Sequence, residues 1–212
     1  MFMNDYLNEK NLNNSSEKLK KCSMLIDYVH KKLTENQEVK RLIYYNTQNP
    51  LDKKGINFNG EIIEQPDLTE EDVKGLIAMM PFNADMVEKL TQAIYINIPF
   101  GSFYNYGQGN ILKFDIDILS PEEYSLTVNG LRYFEIGYYI ANMLDGMYIT
   151  DDRYVKYLGN LKFDLESLNT FRLSKTNTKI WLHLVFEVKL FPIDRTKYGI
   201  IQGIYHKRFI IR

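Results

Sequence analysis

One alternating run decides the fold: Leu112-Lys113-Phe114-Asp115-Ile116-Asp117-Ile118. Successive side chains of a β-strand point to opposite faces, so this run predicts a strand with one apolar and one polar face. Residues 180–191 repeat the pattern over a longer span. A strand that is buried on one face only is typical of antiparallel sheets. The two runs therefore predict the centre of an antiparallel sheet.

Helical patterns lie on both sides of the first run. Over residues 17–33 apolar side chains recur at steps of three and four, behind the typical helix start Ser15-Ser16-Glu17. A second helix is predicted over 35–45, and a third between the glycines at 130 and 146. Helices that are segregated from hairpin-connected strands indicate an α+β fold. We expect an antiparallel sheet with the N-terminal helices and one central helix packed on it.

Shorter patterns complete the expected sheet. The glycine-rich and aromatic-rich stretch 100–109 is predicted to be a long hairpin loop. Further strands are predicted at 94–98, 157–163, 171–173, 199–205 and 209–211.

The chain of 212 residues is long enough to bury a core in a single domain. We assign residues 1–14 to a flexible N-terminal arm, 15–191 to the α+β domain and 192–212 to a C-terminal extension. A flap of helix and loop at about 47–90 interrupts the domain. Loops of that length are usually functional or interaction elements.

Two local patterns describe the flap. Residues 51–68 are predicted to be an extended loop. Thr69 and Asp72 have the spacing of a capping box, which predicts a short helix that ends near Met80 because Pro81 follows.

Composition excludes several classes of protein. Hydrophobic residues make up 45% of the chain and the formal net charge is −1, which argues against disorder and against a protein that coats duplex DNA. We expect no signal peptide and no membrane-spanning segment, so the chain should be cytosolic when made. The single cysteine, Cys22, excludes an internal disulfide and a cysteine-built zinc site, and it lies on the apolar stripe of the first helix.

Candidate metal ligands have simpler explanations. Asp115 and Asp117 share a strand face and could both reach one Mg²⁺, but a half-buried strand needs polar residues on that face anyway. His30, His183 and His206 lack metal-ligand spacing, and His30 is expected at the surface. We therefore predict no metal, no cofactor and no catalytic residue.

An enzymatic alternative remains. Glu187-Val188-Lys189 on the long strand, with Asp164 upstream, has the spacing of the acidic residues and lysine in restriction-type nucleases. There the acids hold a metal ion and the lysine helps to position the attacking water.

Charge and aromatic residues predict contacts with other chains. Residues 61–72 hold six acids and no lysine or arginine, and residues 192–212 hold five basic residues against one aspartate. We expect the acidic segment of one copy to meet the basic segment of the next, a head-to-tail contact that can close a ring. An aromatic cluster within 100–109 is a second candidate anchor, against the alternative that it packs on the sheet. The candidate interface residues are Glu61, Glu64, Glu70, Glu71, Asp72, Phe103, Tyr104, Tyr106, Arg195, Lys197, Lys207, Arg208 and Arg212.

Four motifs follow one another over residues 92–191: an acid-flanked strand, an arginine-containing helix start, a Gly-x-Leu-x-Phe run and a final long strand. In this sequence they are 113–118 with Ser120-Pro121-Glu122-Glu123-Tyr124, then Gly130-Leu131-Arg132-Tyr133-Phe134-Glu135-Ile136, then Gly159-Asn160-Leu161-Lys162-Phe163, then 180–191. This order of motifs resembles that of the neck proteins of tailed bacteriophages: tail terminators, tail-completion proteins and head–tail connectors.

The resemblance implies a tail-terminator-like fold and a virion protein without an enzymatic site. It would be made in the host cytoplasm and form a homo-oligomeric ring at the head–tail junction. Its partners would be further copies of itself and the portal, connector and tail proteins, and double-stranded DNA would pass through the lumen without sequence-specific binding. No membrane contact is implied.

A non-catalytic adaptor that binds a partner through its aromatic cluster is a third alternative.

Overall fold

A computed structural model of the chain describes residues 15–79, 94–98, 102–106, 109–147, 158–172 and 179–190. The predicted arm, the predicted extension and the predicted strands at 199–205 and 209–211 lie outside these residues.

The described part of the chain contains three α-helices, eleven strands and two short 3₁₀ turns. The helices are α1 (Ser15–Glu35), α2 (Gln37–Tyr44) and α3 (Arg132–Leu144). The first strands are β1 (Lys54–Ile56), β2 (Ile62–Glu64), β3 (Ile77–Ala78), β4 (Tyr95–Asn97), β5 (Ser102–Tyr106) and β6 (Gly109–Pro121). The others are β7 (Leu126–Thr127), β8 (Gly130–Leu131), β9 (Leu158–Phe163), β10 (Asn169–Arg172) and β11 (Lys179–Leu190). The 3₁₀ turns are Glu122–Tyr124 and Leu165–Ser167.

Strands β6 and β11 form the spine of the main sheet. They pair antiparallel along their whole length, from Asn110↔Leu190 to Pro121↔Lys179. Strands β9 and β10 pair with the free edge of β11, and strands β4 and β5 pair with the free edge of β6. All four pairings are antiparallel. Strand β3 joins β4 in parallel. The α+β class and the antiparallel sheet are therefore confirmed, with one parallel strand added at the edge.

The helices cover the apolar face of the spine. Alternate residues of β6 and β11 are fully buried there, and the rings of Phe114 and Phe186 stack with centroids 5.4 Å apart. Helix α3 comes close because Gly137 has no side chain: a Cβ there would lie 2.9 Å from Leu182 Cδ2. Residues of α1 such as Leu25 and Val29 belong to the same apolar cluster. The predicted packing of N-terminal and central helices on the sheet is confirmed.

The opposite face of the spine is less solvated than the alternation predicts. Asp117, Leu119 and Val185 on this face are buried, and Asp115 is half-buried. On this strand face, polar residue types therefore do not predict that the side chains are exposed to solvent.

Three local predictions are wrong. Residues 51–68 contain the β1–β2 ribbon, and residues 100–109 contain β5 and the start of β6. The capping box does form, since Thr69 N–H and Oγ1–H each donate to Asp72 Oδ2 at 2.7 Å. No helix follows it, because Gly75 adopts a φ of +84° and the chain then enters β3. The turn at Gly75 therefore prevents the capping box from starting a helix.

Candidate functional site

The acidic interface candidates lie on two separate exposed segments. On the β1–β2 ribbon, Glu61 accepts a hydrogen bond from Asn57, and Glu64 pairs with Lys54 at 3.1 Å. After the ribbon, Glu70 is exposed and Glu71 pairs with Lys74 at 2.9 Å. Hydrogen bonds from Thr69 lower the pKa of Asp72 below its ordinary value.

The basic half of the predicted contact lies outside the described residues. It comprises Arg195, Lys197, Lys207, Arg208 and Arg212. The head-to-tail charge contact therefore stays a prediction.

The aromatic candidates lie on a strand and not in a loop. Phe103, Tyr104 and Tyr106 belong to β5, where they stand opposite Leu112, Ile111 and Gly109 of β6. Their role as an interface anchor stays a prediction.

Two buried arginines anchor the first part of the predicted flap to the helices. The guanidinium of Arg41, on α2, donates to the carbonyl oxygens of Pro50, Asp52, Gln65 and Pro66, and it meets Asp67 at 3.2 Å. Each of these bonds ends on the segment that contains the β1–β2 ribbon. Arg41 is 5% exposed and its bonds to Pro50 O and Gln65 O are buried, so these two carbonyl groups have little access to water.

The second arginine, Arg132, begins α3 and belongs to a motif of the family resemblance. Its Nη1 donates to Tyr45 O at 2.9 Å, and its Nη2 donates to Thr47 O. Burial lowers the pKa of Arg132 to about 10. The arginine thus ties the start of the central helix to the chain that leaves α2, which explains structurally why an arginine stands at this helix start.

Two residues of the nuclease hypothesis, Asp164 and Glu187, meet around Lys113. Lys113 Nζ on β6 lies 3.1 Å from Asp164 Oδ2 and 2.6 Å from Glu187 Oε1. The hydrogen bond to Glu187 is the main reason that the pKa of Lys113 is raised. Hydrogen bonds from Ser167 and then from Lys113 lower the pKa of Asp164. The side chain of Lys189 is outside the described part, so the predicted lysine is not placed.

The two aspartates weighed as Mg²⁺ ligands have different surroundings. Asp117 Oδ1 accepts hydrogen bonds from Trp181 Nε1 at 2.9 Å and from His183 Nδ1 at 2.6 Å. The bond to Asp117 raises the pKa of His183, and burial raises the pKa of Asp115. Among the described residues, no group of three or more His, Cys, Asp or Glu side chains could hold a metal ion.

Two further sequence predictions have definite outcomes. Cys22 is buried, as its place on the apolar stripe predicts, and burial raises the pKa of its thiol to about 12. His30 is half-buried, with its Nε2 3.2 Å from Ile77 O, so the prediction that it lies at the surface is wrong.

An exposed apolar surface is the feature that sequence reasoning missed. It lies on the β1–β2 ribbon and on the small β7–β8 hairpin. The ring of Phe58, on the ribbon, lies 6.2 Å centroid to centroid from the ring of Tyr124, on the 3₁₀ turn just before the hairpin. We call it the hairpin surface and define it as Ile56, Phe58, Ile62, Leu126, Val128 and Leu131, all of which are at least 40% exposed.

A signal for this surface was present in the sequence. Each hairpin turn contains an Asn-Gly pair, Asn59-Gly60 and Asn129-Gly130, with apolar residues on both sides. Asn-Gly between apolar residues is a strong hairpin signal, because both residues tolerate a positive φ. Both glycines do have a positive φ, of 84° and 126°.

No family of known proteins and no curated protein matches this sequence. The structure is similar to a chain of a solved structure described as the virion of a native gene transfer agent particle. The TM-score is 0.38 with 14% sequence identity, and the match covers 56% of this chain and 80% of that chain. In the described part of the chain, no helix is long and apolar enough to cross a lipid bilayer.

Proposed function

We propose that this chain is a structural subunit of a tailed-phage-type virion. In this proposal it assembles as a homo-oligomeric ring at the head–tail junction, as a tail terminator or head–tail connector. It contacts the portal or connector and the tail proteins, DNA passes through its lumen, and it catalyses no reaction.

One observation carries the proposal: the hairpin surface exposes apolar side chains from two hairpins at one end of the molecule. Large exposed apolar patches mark sites of contact with other chains. The ribbon that holds half of this surface is anchored by the buried Arg41, so it is presented in a defined orientation. The proposal of a virion role, and not of another assembly, rests on the resemblance of the motifs over residues 92–191 to phage neck proteins.

The described polar clusters support a structural role in a second way. Lys113 bridges Asp164 and Glu187, and Asp117 bridges Trp181 and His183. These side chains hold neighbouring strands of the sheet together. Each cluster therefore stabilises the sheet, and this structural role requires no substrate.

The test is the size and shape of the purified full-length protein. Light scattering and negative-stain microscopy, at increasing protein concentration and in the presence of candidate neck partners, should show a closed ring. An antibody to the protein should label the neck of the corresponding particle. A chain that stays monomeric with all such partners, and is absent from particles, would refute the proposal.

A nuclease is the second candidate, because Asp164 and Glu187 do lie against one lysine. The wild-type chain and the Glu187→Ala and Lys113→Met variants should be compared for plasmid cleavage with Mg²⁺ or Mn²⁺. Cleavage that both substitutions abolish, while circular dichroism shows the fold intact, would establish the enzyme and refute the structural role as the sole function.

A further inference from the structure

We propose that the hairpin surface binds the C-terminal segment, residues 192–212, of a second copy of this chain. The inference rests on the self-assembly in the proposed function and names the surface and segment through which it occurs.

The two hairpins form one surface because a single residue joins them. Gln48 N–H donates to Ile56 O at 2.9 Å, and Val128 N–H donates to Gln48 O at 2.8 Å. Gln48 therefore links the backbone of Ile56 on β1 to that of Val128 in the β7–β8 turn. Two hydrogen bonds through one residue keep the two hairpins adjacent, so one docked segment can cover apolar side chains of both.

The ribbon also offers an open strand edge. The hydrogen bonds Asn57 N–H to Glu61 O and Gln65 N–H to Lys53 O lie four residues apart on each strand, so hydrogen-bonded positions alternate with non-bonded ones between them. Ile62 and Glu64 fall at the alternate positions, so their backbone N–H and C=O groups point away from β1. Within the described residues, β2 pairs with β1 alone. An extended segment could therefore add to β2 as a third strand.

Charge favours the C-terminal segment as the occupant. The two hairpins and their flanks carry Glu61, Glu64, Glu122, Glu123 and Glu135 at exposed or half-exposed positions, against Lys53 and Lys54. Residues 192–212 carry five basic residues against one aspartate, and they are rich in isoleucine and aromatic residues. An apolar, basic segment with two predicted strands matches an apolar, acidic surface with an open edge.

The geometry of the spine favours a second copy over the chain's own segment. The β7–β8 half of the hairpin surface follows Pro121, which pairs with Lys179 at one end of the spine, and the chain leaves the spine at Leu190, opposite Asn110 at the other end. At about 3.3 Å per residue these ends are about 36 Å apart. Because β11 runs away from the hairpin end, the chain's own segment would have to turn back and spend about 11 residues on the return before it could dock. A head-to-tail contact brings the exit end of one copy to the hairpin end of the next, and repetition of that contact closes a ring.

Cysteine trapping tests the contact directly in the full-length chain. One variant carries Ile62→Cys, and a second carries Ile204→Cys together with a small tag, so that a mixed disulfide dimer has its own mass. Cys22 is buried and its thiol has a pKa of about 12, so it gives little background. The matched control is Leu165→Cys, because Leu165 is an equally exposed apolar residue on the turn between β9 and β10.

We expect at least about tenfold more mixed dimer with Ile62→Cys than with Leu165→Cys, because docking raises the local thiol concentration. Equal yields would overturn the inference. A chain that carries both Ile62→Cys and Ile204→Cys separates the two possible sources of the segment. If it forms only an intramolecular disulfide at every concentration, the chain's own segment occupies the surface and the proposed contact is wrong.

A second measurement does not depend on trapping. Val128→Lys should lower the apparent assembly constant at least about tenfold by light scattering, and Leu165→Lys should leave it unchanged. If rings form normally in Val128→Lys, this inference fails and the proposed function stands. If neither the wild type nor any variant self-associates, alone or with neck partners, both fail.

Discussion

Replacement of Gly55 by alanine is expected to destabilise the protein strongly, although the residue lies on a short surface ribbon. The position is buried, because β1 passes directly over the side chains of Gln65 and Thr47. A Cβ at residue 55 would overlap Gln65 Oε1 and would lie 2.5 Å from Gln65 Cδ and 2.8 Å from Thr47 Cγ2. One of these side chains must move.

Gln65 is poorly able to move. It is fully buried, its Oε1 accepts a hydrogen bond from Thr47 at 2.5 Å, and its Nε2 donates to Asn49 O and Asp52 O. Overpacking of a buried site costs about 1–3 kcal/mol, and each lost hydrogen bond adds roughly 1 kcal/mol. The smaller conformational entropy of alanine in the unfolded chain offsets about 0.4–1 kcal/mol. The expected net loss is about 2–4 kcal/mol.

Urea unfolding followed by tryptophan fluorescence measures this loss, and the melting temperature should fall by roughly 5–15 °C. The control is Gly60→Ala, because a Cβ there meets nothing within 4 Å and the only penalty is its φ of +84°. That penalty is about 1–2 kcal/mol. If Gly55→Ala loses no more stability than Gly60→Ala, the tight packing of β1 on Gln65 is not real.

Three further predictions follow from the polar clusters and the buried thiol. Because the bond to Asp117 raises the folded pKa of His183, its stabilisation should be complete below its unfolded pKa near 6.5 and lost as pH rises through the higher folded value. The gap in unfolding free energy between wild type and His183→Gln should therefore narrow as the pH rises from about 5.5, and a gap that widens would contradict the assignment. Lys113→Met leaves Asp164 and Glu187 close together without their cation and should cost about 1–2 kcal/mol by urea titration, whereas Lys54→Met, which breaks an exposed pair, should cost under about 0.5 kcal/mol. The Cys22 thiol should react with a thiol reagent only at the rate of local or global unfolding, so labelling of the native protein as fast as that of urea-unfolded protein would show that the site is open.

The sheet centre was predictable because its signal is local and repeated. Alternation over Leu112–Ile118 and 180–191 identifies two long strands, and the register between them follows from burying both apolar sets on one face. The α3 helix was predictable from its apolar stripe between two glycines. These elements are specified by many residues at once, so single exceptions do not change them.

The rest depends on contacts between residues far apart in sequence. Gly75 favours a turn after the capping box, but nothing near Thr69 and Asp72 signals that Ile77 and Ala78 will pair with β4, so the capping box alone predicts a helix. Lys113 pairs with Asp164 across 51 residues, and Arg132 bonds to Thr47 across 85. Such partners can be identified only once the fold has brought the elements together, which is why the nuclease pattern did not include Lys113.

The pairing of β6 with β11 sets the order of events while the chain is made. Partners along the spine are separated by 58 residues at Pro121↔Lys179 and by 80 at Asn110↔Leu190. At a synthesis rate of about 5–20 residues per second, β6 waits roughly 3–16 seconds for its partner to emerge from the ribosome. During that interval the edge of β6 that will pair with β11 has no partner strand, and an unpaired edge is a site of aggregation. Protein made faster than chaperones can bind nascent chains should therefore be lost to aggregation at this edge, and slower synthesis should improve the yield of folded protein.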